Sequence, residues 1–409
     1  MAHVKHLRRA SVIAAAVFAA TGLLSAHDKH SGDVVGVIGL DVYAARSGDV
    51  VDTLLAIQPK GTPPPPVELR HTRSRDGGAT WSAPAPILPG VAKVFSPRRG
   101  AEPQIAASGD RLVAIWTEPG TSPWGSGSLA SAVSTDGGKS WKKGPNPADD
   151  GTTKEHGFVD VAAFGPDSFL AVWLDGRDGG QGLRSAASKD GGASWGKNVD
   201  VEKRTCECCA NRLLVRDGAV EVIYRGRDPR DMFVARTTNG GAVWQKLGTV
   251  ASFGWQFDGC PEVAGALTSV GPKGSERIYA MSWTGKESDA GVWISASNDL
   301  GHHWTKPVRM GTAGAKQLDI ASSGGCVTAV WDEYREDAKR RAIFTSSACG
   351  NAWARPAVLS SPDVDASYPV AVGTARGVLV AWTERAGSGE VGWKTQLLAK
   401  AQKPVPPPR

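Results

Sequence analysis

The chain has 409 residues, of which 41% are hydrophobic and 22% charged, a composition typical of a globular protein and not of a disordered chain. Its 50 Gly and 26 Pro, with only 4 Met, favour short strands joined by turns over a helical bundle. The formal net charge is +6, but no run of Lys or Arg is interleaved with aromatic residues, so a nucleic-acid groove is not expected.

The first 26 residues have the pattern of a secretory signal peptide. A basic start with Lys5, Arg8 and Arg9 precedes an apolar stretch over residues 11–24 and a small-residue cleavage site at Ala26. We expect cleavage near Ala26 and export to the periplasm or the medium. No other apolar run is long enough for a membrane-spanning helix.

An eight-residue pattern recurs along the chain. It reads SRDGGATW at residues 74–81 and returns as STDGGKSW, SKDGGASW, TTNGGAVW and SNDLGHHW, with a degenerate copy, SSACGNAW, at residues 346–353. Successive copies lie 49 to 60 residues apart, which is the length of one four-stranded propeller blade with its loops. We call this pattern the box. The last residue of every copy is a Trp: Trp81, Trp141, Trp195, Trp244, Trp304 and Trp353.

The chemistry of the box is that of a tight turn. The Asp accepts backbone N–H bonds, the Gly residues allow positive φ, and the Ser or Thr adds a short polar bond. The Trp is expected to fold back as an apolar plug between neighbouring blades. The box Asp residues are therefore predicted to be structural and not catalytic.

A second pattern recurs at the same place in each repeat, relative to the box. It consists of an apolar strand, a turn, and a strand that usually ends in Trp. Seven such units are countable, each giving strand 1, strand 2, strand 3, box and strand 4. The sequence therefore predicts an all-β protein with one monomeric β-propeller over residues 27–400 and an unpaired Pro-rich tail over 401–409. Seven blades are favoured, with six as the alternative. The last unit lacks a box, so its outer strand is either missing or supplied by the N-terminus.

The boxes resemble those of the sialidase-like Asp-box (BNR-repeat) propellers, and the resemblance covers nearly the whole chain. TCECC at residues 205–209, YRGRDPRD at 224–231 and DGCP at 258–261 are similar to an exported bacterial subgroup of that family. The family contains sialidases, other glycosidases, receptors and binding proteins, so the resemblance implies the fold more specifically than the function.

The predicted topology separates two faces. The segments before each strand 1 and the strand 2–3 loops share one face, while the strand 1–2 turns and the boxes share the other. Charged residues collect on the first face, which predicts a site for a glycan or another anionic small ligand at its axial mouth. The predicted ligand contacts are Arg98, Arg99, Arg212, Arg225 and His156.

The resemblance to sialidases implies a carboxylate clamp of three Arg, a Tyr nucleophile and an acid/base carboxyl group. Tyr368 matches the nucleophile, Asp175 or Glu262 the proton-transfer groups, and the clamp would come from Arg98 or Arg99, Arg212 and Arg225. The Arg-Ile-Pro motif of sialidases is absent before the first box. A non-catalytic propeller that binds glycan or protein is the alternative.

The six Cys residues give two further predictions. Cys326, at a strand 1–2 turn, is predicted to form a disulfide with Cys349 in the degenerate box of the same blade. The other four precede strand 1 of two neighbouring blades and have two interpretations. They form two disulfides, with the last Cys paired to one of the first three, or they form a thiolate or redox site that holds copper or zinc. These four are Cys206, Cys208, Cys209 and Cys260.

Overall fold

The computed structural model describes residues 35–45, 48–95, 101–123, 125–350, 352–387 and 389–400, and these residues form strands and turns without a helix. Over these ranges, then, no helix has the length and apolar character needed to span a membrane. The predicted signal peptide and the Pro-rich tail lie outside the described residues.

The strands fall into seven consecutive groups. Group 1 contains β1 (Gly36–Ala44), β2 (Val51–Gln58), β3 (Glu68–Ser74) and β4 (Ala85–Pro86). Group 2 contains β5 (Gln104–Ser108), β6 (Arg111–Pro119), β7 (Ser126–Ser134) and β8 (Lys142–Gly144). Group 3 contains β9 (His156–Gly165), β10 (Ser168–Asp175), β11 (Gly182–Ser188) and β12 (Val199–Glu202). Group 4 contains β13 (Arg212–Arg216), β14 (Ala219–Arg225), β15 (Met232–Thr237) and β16 (Gln245–Ala251). Group 5 contains β17 (Ala266–Val270), β18 (Arg277–Thr284), β19 (Gly291–Ser297) and β20 (Val308–Arg309). Group 6 contains β21 (Ala315–Ser323), β22 (Cys326–Arg335), β23 (Arg340–Ala348) and β24 (Ala357–Val358). Group 7 contains β25 (Asp365–Gly373), β26 (Gly377–Arg385) and β27 (Val391–Ala399).

Sequential antiparallel pairing builds every group. Groups 2 to 6 are separate four-stranded sheets, whereas groups 1 and 7 are joined into one seven-stranded sheet. The joint is a parallel pairing of β1 with β27 at Gly36 and Val391, next to a 2.9 Å hydrogen bond from the Val391 N–H to the Val35 carbonyl. The start of β1 thus lies at the free edge of group 7, which is the position predicted for an N-terminal segment.

The first strands of the groups form the centre of the molecule. Each contacts the next in the order β1, β5, β9, β13, β17, β21 and β25, and β25 contacts β1. Large apolar side chains fill the spaces between groups, including the fully buried Trp116, Trp173 and Trp331. The predicted all-β propeller is confirmed. The number of blades stays a prediction, because group 7 has three strands of its own.

The box has the hydrogen bonds that its sequence predicts. In the first box, the Ser74 hydroxyl donates to Asp76 (2.8 Å) and accepts from the Gly78 N–H (2.8 Å), while Asp76 accepts from the backbone and hydroxyl of Thr80 at 2.9 and 2.7 Å. The hydrogen bonds from Thr80 lower the pKa of Asp76 to about 2. The backbone hydrogen bond from the residue four positions later recurs at Asp136, Asp190, Asn239 and Asp299.

The boxes and the strand 1–2 turns share one face, as predicted. In the first three groups, a box Gly donates its N–H to the turn carbonyl of the same group, at 2.8 to 2.9 Å. These pairs are Gly77 with Asp49, Gly137 with Asp110, and Gly191 with Asp167. We call this side the box face and the opposite side the loop face.

The box Trp residues pack on the preceding group, which confirms their predicted role as plugs. Trp141 of group 2 meets His71 of group 1 edge-on at 5.6 Å, and the Trp244 indole of group 4 donates to the Ser185 hydroxyl of group 3 at 2.9 Å. Trp81 of group 1 meets Trp393 of group 7 at 5.3 Å, so the same contact also closes the ring.

The second box Gly permits a close approach between groups, which makes it sensitive to substitution. Gly192 has φ +87°, and a Cβ there would lie 2.7 to 2.8 Å from methyl groups of Val113 and Val133 in group 2. We expect Gly192→Ala to lower the free energy of unfolding by about 2–3 kcal/mol, combining left-handed strain and overpacking. Gly218→Ala, at φ +75° with nothing within 4 Å of its Cβ, should cost only about 1 kcal/mol. Urea midpoints of the two variants test this, and equal losses would contradict the packing argument.

Candidate functional site: the axial cavity and its rim

A cavity of about 490 Å³ runs along the axis of the ring. The first strand of every group contributes to its wall, and the lining includes Gly109 in a strand 1–2 turn and Gly165 and Gly373 at the ends of β9 and β25. The cavity therefore extends towards the box face, whereas the sequence predicted a site at the loop face. The lining residues are 41–45, 104–105, 107–109, 160–165, 212–215, 267–269, 319–322 and 370–373.

Three carboxyl groups line this cavity at the same level, on β1, β9 and β21. Each accepts the backbone N–H of the first strand in the next group: Asp41 from Ile105 at 2.8 Å, Asp160 from Leu213 at 2.6 Å, and Asp319 from Ala371 at 2.8 Å. They hold neighbouring groups together at the axis. We call Asp41, Asp160 and Asp319 the axial carboxyl groups.

Burial in the cavity keeps the axial carboxyl groups from ionising readily. It raises the pKa of Asp41 to about 7 and that of Asp319 to about 6, against backbone hydrogen bonds and the charge of Arg212, which oppose the increase. The pKa of Asp160 is also raised by burial. At neutral pH the cavity therefore offers both protonated and ionised carboxyl groups, which can donate as well as accept hydrogen bonds.

Arg212 stands at the start of β13 in the cavity wall, among these carboxyl groups. Burial opposes its charge, but Asp160 and Glu102, followed by Asp41 and Asp319, outweigh burial and raise its pKa. One guanidinium nitrogen donates to the Asn211 carbonyl at 3.1 Å. Arg212 is thus a permanent cation in the wall of the axial cavity, and its predicted contact with a ligand stays a prediction.

The sequence analysis did not single out Asp41 or Asp160, although a signal was present. Each axial carboxyl group is the centre of an apolar–Asp–apolar triplet within a first strand: Leu40-Asp-Val42, Val159-Asp-Val161 and Leu318-Asp-Ile320. An Asp between two strongly apolar positions of a central strand must face the axis, because the adjacent side chains face the sheet interfaces.

Asp175 and His156 lie together on the rim of group 3, at the loop face. The two residues are paired across β9 and β10, and His156 Nε2 lies 3.4 Å from both Asp175 Oδ2 and Asp150 Oδ1. Burial opposes ionisation of Asp175, but the contact with His156 and the hydrogen bonds from Arg177 outweigh it and lower its pKa. Both side chains are fully buried.

Asp175 has a structural partner that recurs in other groups. The Trp173 indole donates to Asp175 Oδ2 at 2.9 Å, and Arg177 donates to both carboxylate oxygens at 2.9 and 3.0 Å. Because these donors already occupy the carboxylate, its environment does not support the proton-transfer role predicted for Asp175. Asp150, His156 and Asp175 place ligand atoms within 4.8 Å of one another, but a cation would have to displace the guanidinium. The corresponding pairs elsewhere are Trp331 with Glu333 and Trp382 with Glu384.

Arg225 is enclosed between groups 4 and 5. It is 1% exposed and donates to the carbonyls of Arg230 (2.6 Å) and Trp283 (3.0 Å), with its guanidinium over the Trp255 and Trp283 rings at 5.6 and 5.9 Å. Burial lowers its pKa to about 9. A guanidinium enclosed in this way is not available to a ligand. The ligand contact predicted for Arg225 is therefore wrong, and Arg225 packs against Trp255 and Trp283 instead.

Tyr368 and Glu262 share an unusual backbone conformation near the start of a first strand. Their φ angles are 60° and 54°, in the left-handed region that costs a non-Gly residue about 1–2 kcal/mol. The backbone N–H of Tyr368 donates to Asp332 Oδ2 at 3.1 Å, and the Glu262 carbonyl accepts from Gln317 at 3.2 Å. Their catalytic roles stay predictions. Arg98 and Arg99 lie outside the described residues.

No protein-family model matches the chain, and no curated protein matches it. Among solved structures, a Trypanosoma rangeli sialidase is 14% identical with a TM-score of 0.50, over 76% of this chain and 55% of the sialidase chain. The chain thus spans about half the length of that sialidase. A Dyadobacter fermentans protein of unknown function is 16% identical with a TM-score of 0.49, over 89% of this chain and 94% of that chain. A Fusarium graminearum α-L-arabinofuranosidase is 14% identical with a TM-score of 0.45, over 76% and 93%.

The fold is that of a sialidase-like β-propeller. At such low identity the similarity concerns the fold alone.

All six Cys residues of this sialidase-like propeller are in disulfides. Cys326–Cys349 is formed as predicted, with its Cα atoms 4.2 Å apart. The other four form Cys206–Cys209 and Cys208–Cys260, which is the disulfide alternative of the sequence analysis. Paired in this way, the four sulfurs offer no thiolate to a copper or zinc ion, and the metal alternative stays a prediction.

Proposed function

We propose that this protein binds glycans in the axial cavity, where Arg212 and the axial carboxyl groups contact the sugar. The observation that carries the proposal is the set of three half-buried or buried carboxyl groups around one guanidinium in a concave cavity of about 490 Å³. Sugar hydroxyl groups both donate and accept hydrogen bonds, and this set offers both functions. The similarity in fold to a sialidase adds support for a carbohydrate ligand.

The charge of the cavity favours a neutral glycan over the anionic ligand that the sequence first suggested. Asp160, Glu102, Asp41 and Asp319 all act on Arg212, so its positive charge is compensated by the protein itself. An anion entering the cavity would meet several acidic groups, in part ionised, for the one guanidinium. A neutral sugar meets no such repulsion.

We place this function outside the cytoplasm. Three disulfides support export, because disulfides persist in oxidising compartments and are rare in the cytosol. The signal-like N-terminal sequence supports the same proposal.

The test is an array of immobilised neutral and sialylated glycans probed with the purified chain and with Arg212→Gln. We expect retention of neutral glycans by the unchanged chain and at least about a tenfold loss of binding in Arg212→Gln, because charge-assisted hydrogen bonds to the sugar are removed. The matched control is Arg75→Gln, since Arg75 is an exposed arginine in the first box. Absence of binding to any glycan, or equal binding by the two variants, would refute the proposal.

Hydrolysis is a second candidate function, favoured by the pKa of Asp41. A carboxyl group with a pKa of about 7 can act as a general acid at neutral pH while a neighbouring ionised carboxylate acts as a base. Fluorogenic neutral glycosides and a fluorogenic sialoside test this candidate. Turnover lost in Asp41→Asn would place the chemistry in the cavity, whereas turnover of the sialoside lost in Tyr368→Phe would favour the sialidase prediction.

A further inference from the structure

The two disulfides on the loop face between groups 4 and 5 form a single cluster of sulfur atoms. The Sγ atoms of Cys206, Cys208 and Cys209 all lie within 4.8 Å of one another, although Cys208 is bonded to Cys260 and not to the other two. Cys206, Cys208 and Cys209 are buried, whereas Cys260 is exposed. One end of the cluster is therefore open to solvent and the other is closed.

We propose that this cluster is a thiol–disulfide exchange site, in which an external thiol opens the exposed Cys208–Cys260 bond and the internal Cys206–Cys209 bond then rearranges. This activity goes beyond glycan binding and does not rest on it. The substrate class is a small thiol, or a protein with an accessible thiol, that can reach Cys260.

The first step is attack by the external thiolate on Cys260 Sγ. A mixed disulfide forms between the external sulfur and Cys260, the Cys208–Cys260 bond breaks, and the electron pair remains on Cys208 as a thiolate. Cys260 is the sulfur under attack because it is the exposed member of the bond.

The second step is internal. The Cys208 thiolate attacks Cys206 Sγ, a Cys206–Cys208 disulfide forms, and Cys209 leaves as the thiolate, so the number of disulfides is conserved. Attack on Cys209 instead would join adjacent residues, whose Cα atoms are about 3.8 Å apart and below the usual range for a disulfide. The short distances between the three sulfurs allow this step without movement of the groups.

Charged side chains surround the loop that carries the cysteines. Glu207, between Cys206 and Cys208, forms ion pairs with Arg227 and with Arg230, the latter at 3.1 Å. Two guanidinium groups are thus held at the loop that carries the cysteines. Both guanidinium groups are paired with Glu207, so the thiolate that the two steps need comes from the ordinary ionisation of a thiol near its pKa of about 8.5.

The test uses Cys260→Ser in the full chain, which leaves Cys208 without its partner. After incubation of the folded protein at pH 8, rapid alkylation with N-ethylmaleimide and peptide sequencing by mass spectrometry locate the free thiol. We expect the label to be divided between Cys208 and Cys209, with at least about a tenth on Cys209. The matched control is Cys349→Ser, in which the label should remain on Cys326 alone, because its sulfur belongs to another disulfide on the box face.

Label on Cys208 alone in Cys260→Ser would overturn the proposal, and so would label on Cys326 or Cys349, which would show exchange through unfolding.

The unsubstituted chain provides a second measurement that does not depend on the folding of a variant. With a limiting amount of 2-mercaptoethanol, we expect the mercaptoethanol adduct on Cys260 and the alkylation divided between Cys208 and Cys209. An adduct that forms first on Cys326 or Cys349, or alkylation confined to Cys208, would contradict the exchange site.

Discussion

Replacing Glu221 by Ala should lower the free energy of unfolding by about 3–5 kcal/mol, the range for breaking a buried ion pair by removing one partner. Glu221 is fully buried and its carboxylate lies 2.6 Å from Arg216 and 3.2 Å from Arg236. Arg216 is itself buried, and its other carboxylate contact is Glu276 of group 5 at 3.6 Å. The loss is large because Arg216 would keep its charge in the interior with a single, longer ion pair.

Urea midpoints of the unsubstituted chain and the variant measure this effect. The matched control is Glu336→Ala, which removes an ion pair of similar length, 2.9 Å to Lys339, between two side chains that are each 73% exposed. Solvent screens such a pair, so no measurable change in the midpoint is expected. A Glu221→Ala midpoint equal to that of Glu336→Ala would show that burial adds nothing to the Glu221 ion pairs.

Asp41→Asn should change how stability depends on pH. Burial raises the pKa of Asp41 from its ordinary value of 3.8 to about 7 in the folded chain. Between these values the folded state retains a proton that the unfolded state has released, so each increase in pH favours unfolding. The contribution is complete below about pH 4 and is lost as the pH rises to about 7, with an upper limit of about 4 kcal/mol.

An Asn at this position keeps an oxygen that can accept the Ile105 N–H and has no proton to release. The difference in free energy of unfolding between Asp41→Asn and the unsubstituted chain should therefore be constant below about pH 4, shift in favour of the variant up to about pH 7, and be constant above. Asp319→Asn should show the same sign with the change complete near pH 6. Parallel pH profiles for the variant and the unsubstituted chain would contradict the raised pKa of Asp41.

The boxes were predictable from sequence because the side-chain hydrogen bonds of their Asp and of their Ser or Thr lie within eight residues. Asp76, Ser74 and Thr80 satisfy one another without help from the rest of the chain. The box Trp contacts were predictable for a related reason, since an apolar side chain after a polar turn must be covered by a neighbouring group.

The roles of Arg225 and Asp175 could not be predicted from their own positions. Both looked like charged residues in loops, but Arg225 is enclosed by Trp255 and Trp283, which are 30 and 58 residues away in sequence. Asp175 carried a local signal that is visible in retrospect. It follows Trp173 by two residues, and the same spacing of Trp and a carboxylate recurs at Glu333 and Glu384 with the same indole hydrogen bond.

The axial carboxyl groups show a different limit of sequence analysis. Charged residues in loops are the usual sequence signal of a functional site, while Asp41, Asp160 and Asp319 lie within apolar strands. Their importance comes from convergence: three strands separated by more than a hundred residues in sequence bring their side chains to one cavity. No periodicity within a single strand can show that convergence.

The ring is continuous in space but not in covalent structure. Every group is linked to the next by a peptide segment, except at the seam between β27 and β1, where the Trp81–Trp393 contact and a 2.6 Å hydrogen bond from Arg376 to the Asp76 carbonyl lie. At the seam, Gly36 lies so close to the Val391 carbonyl that any side chain would collide with it. Strands β1 and β27 therefore close the ring, and the absence of a side chain at Gly36 is what permits their close contact.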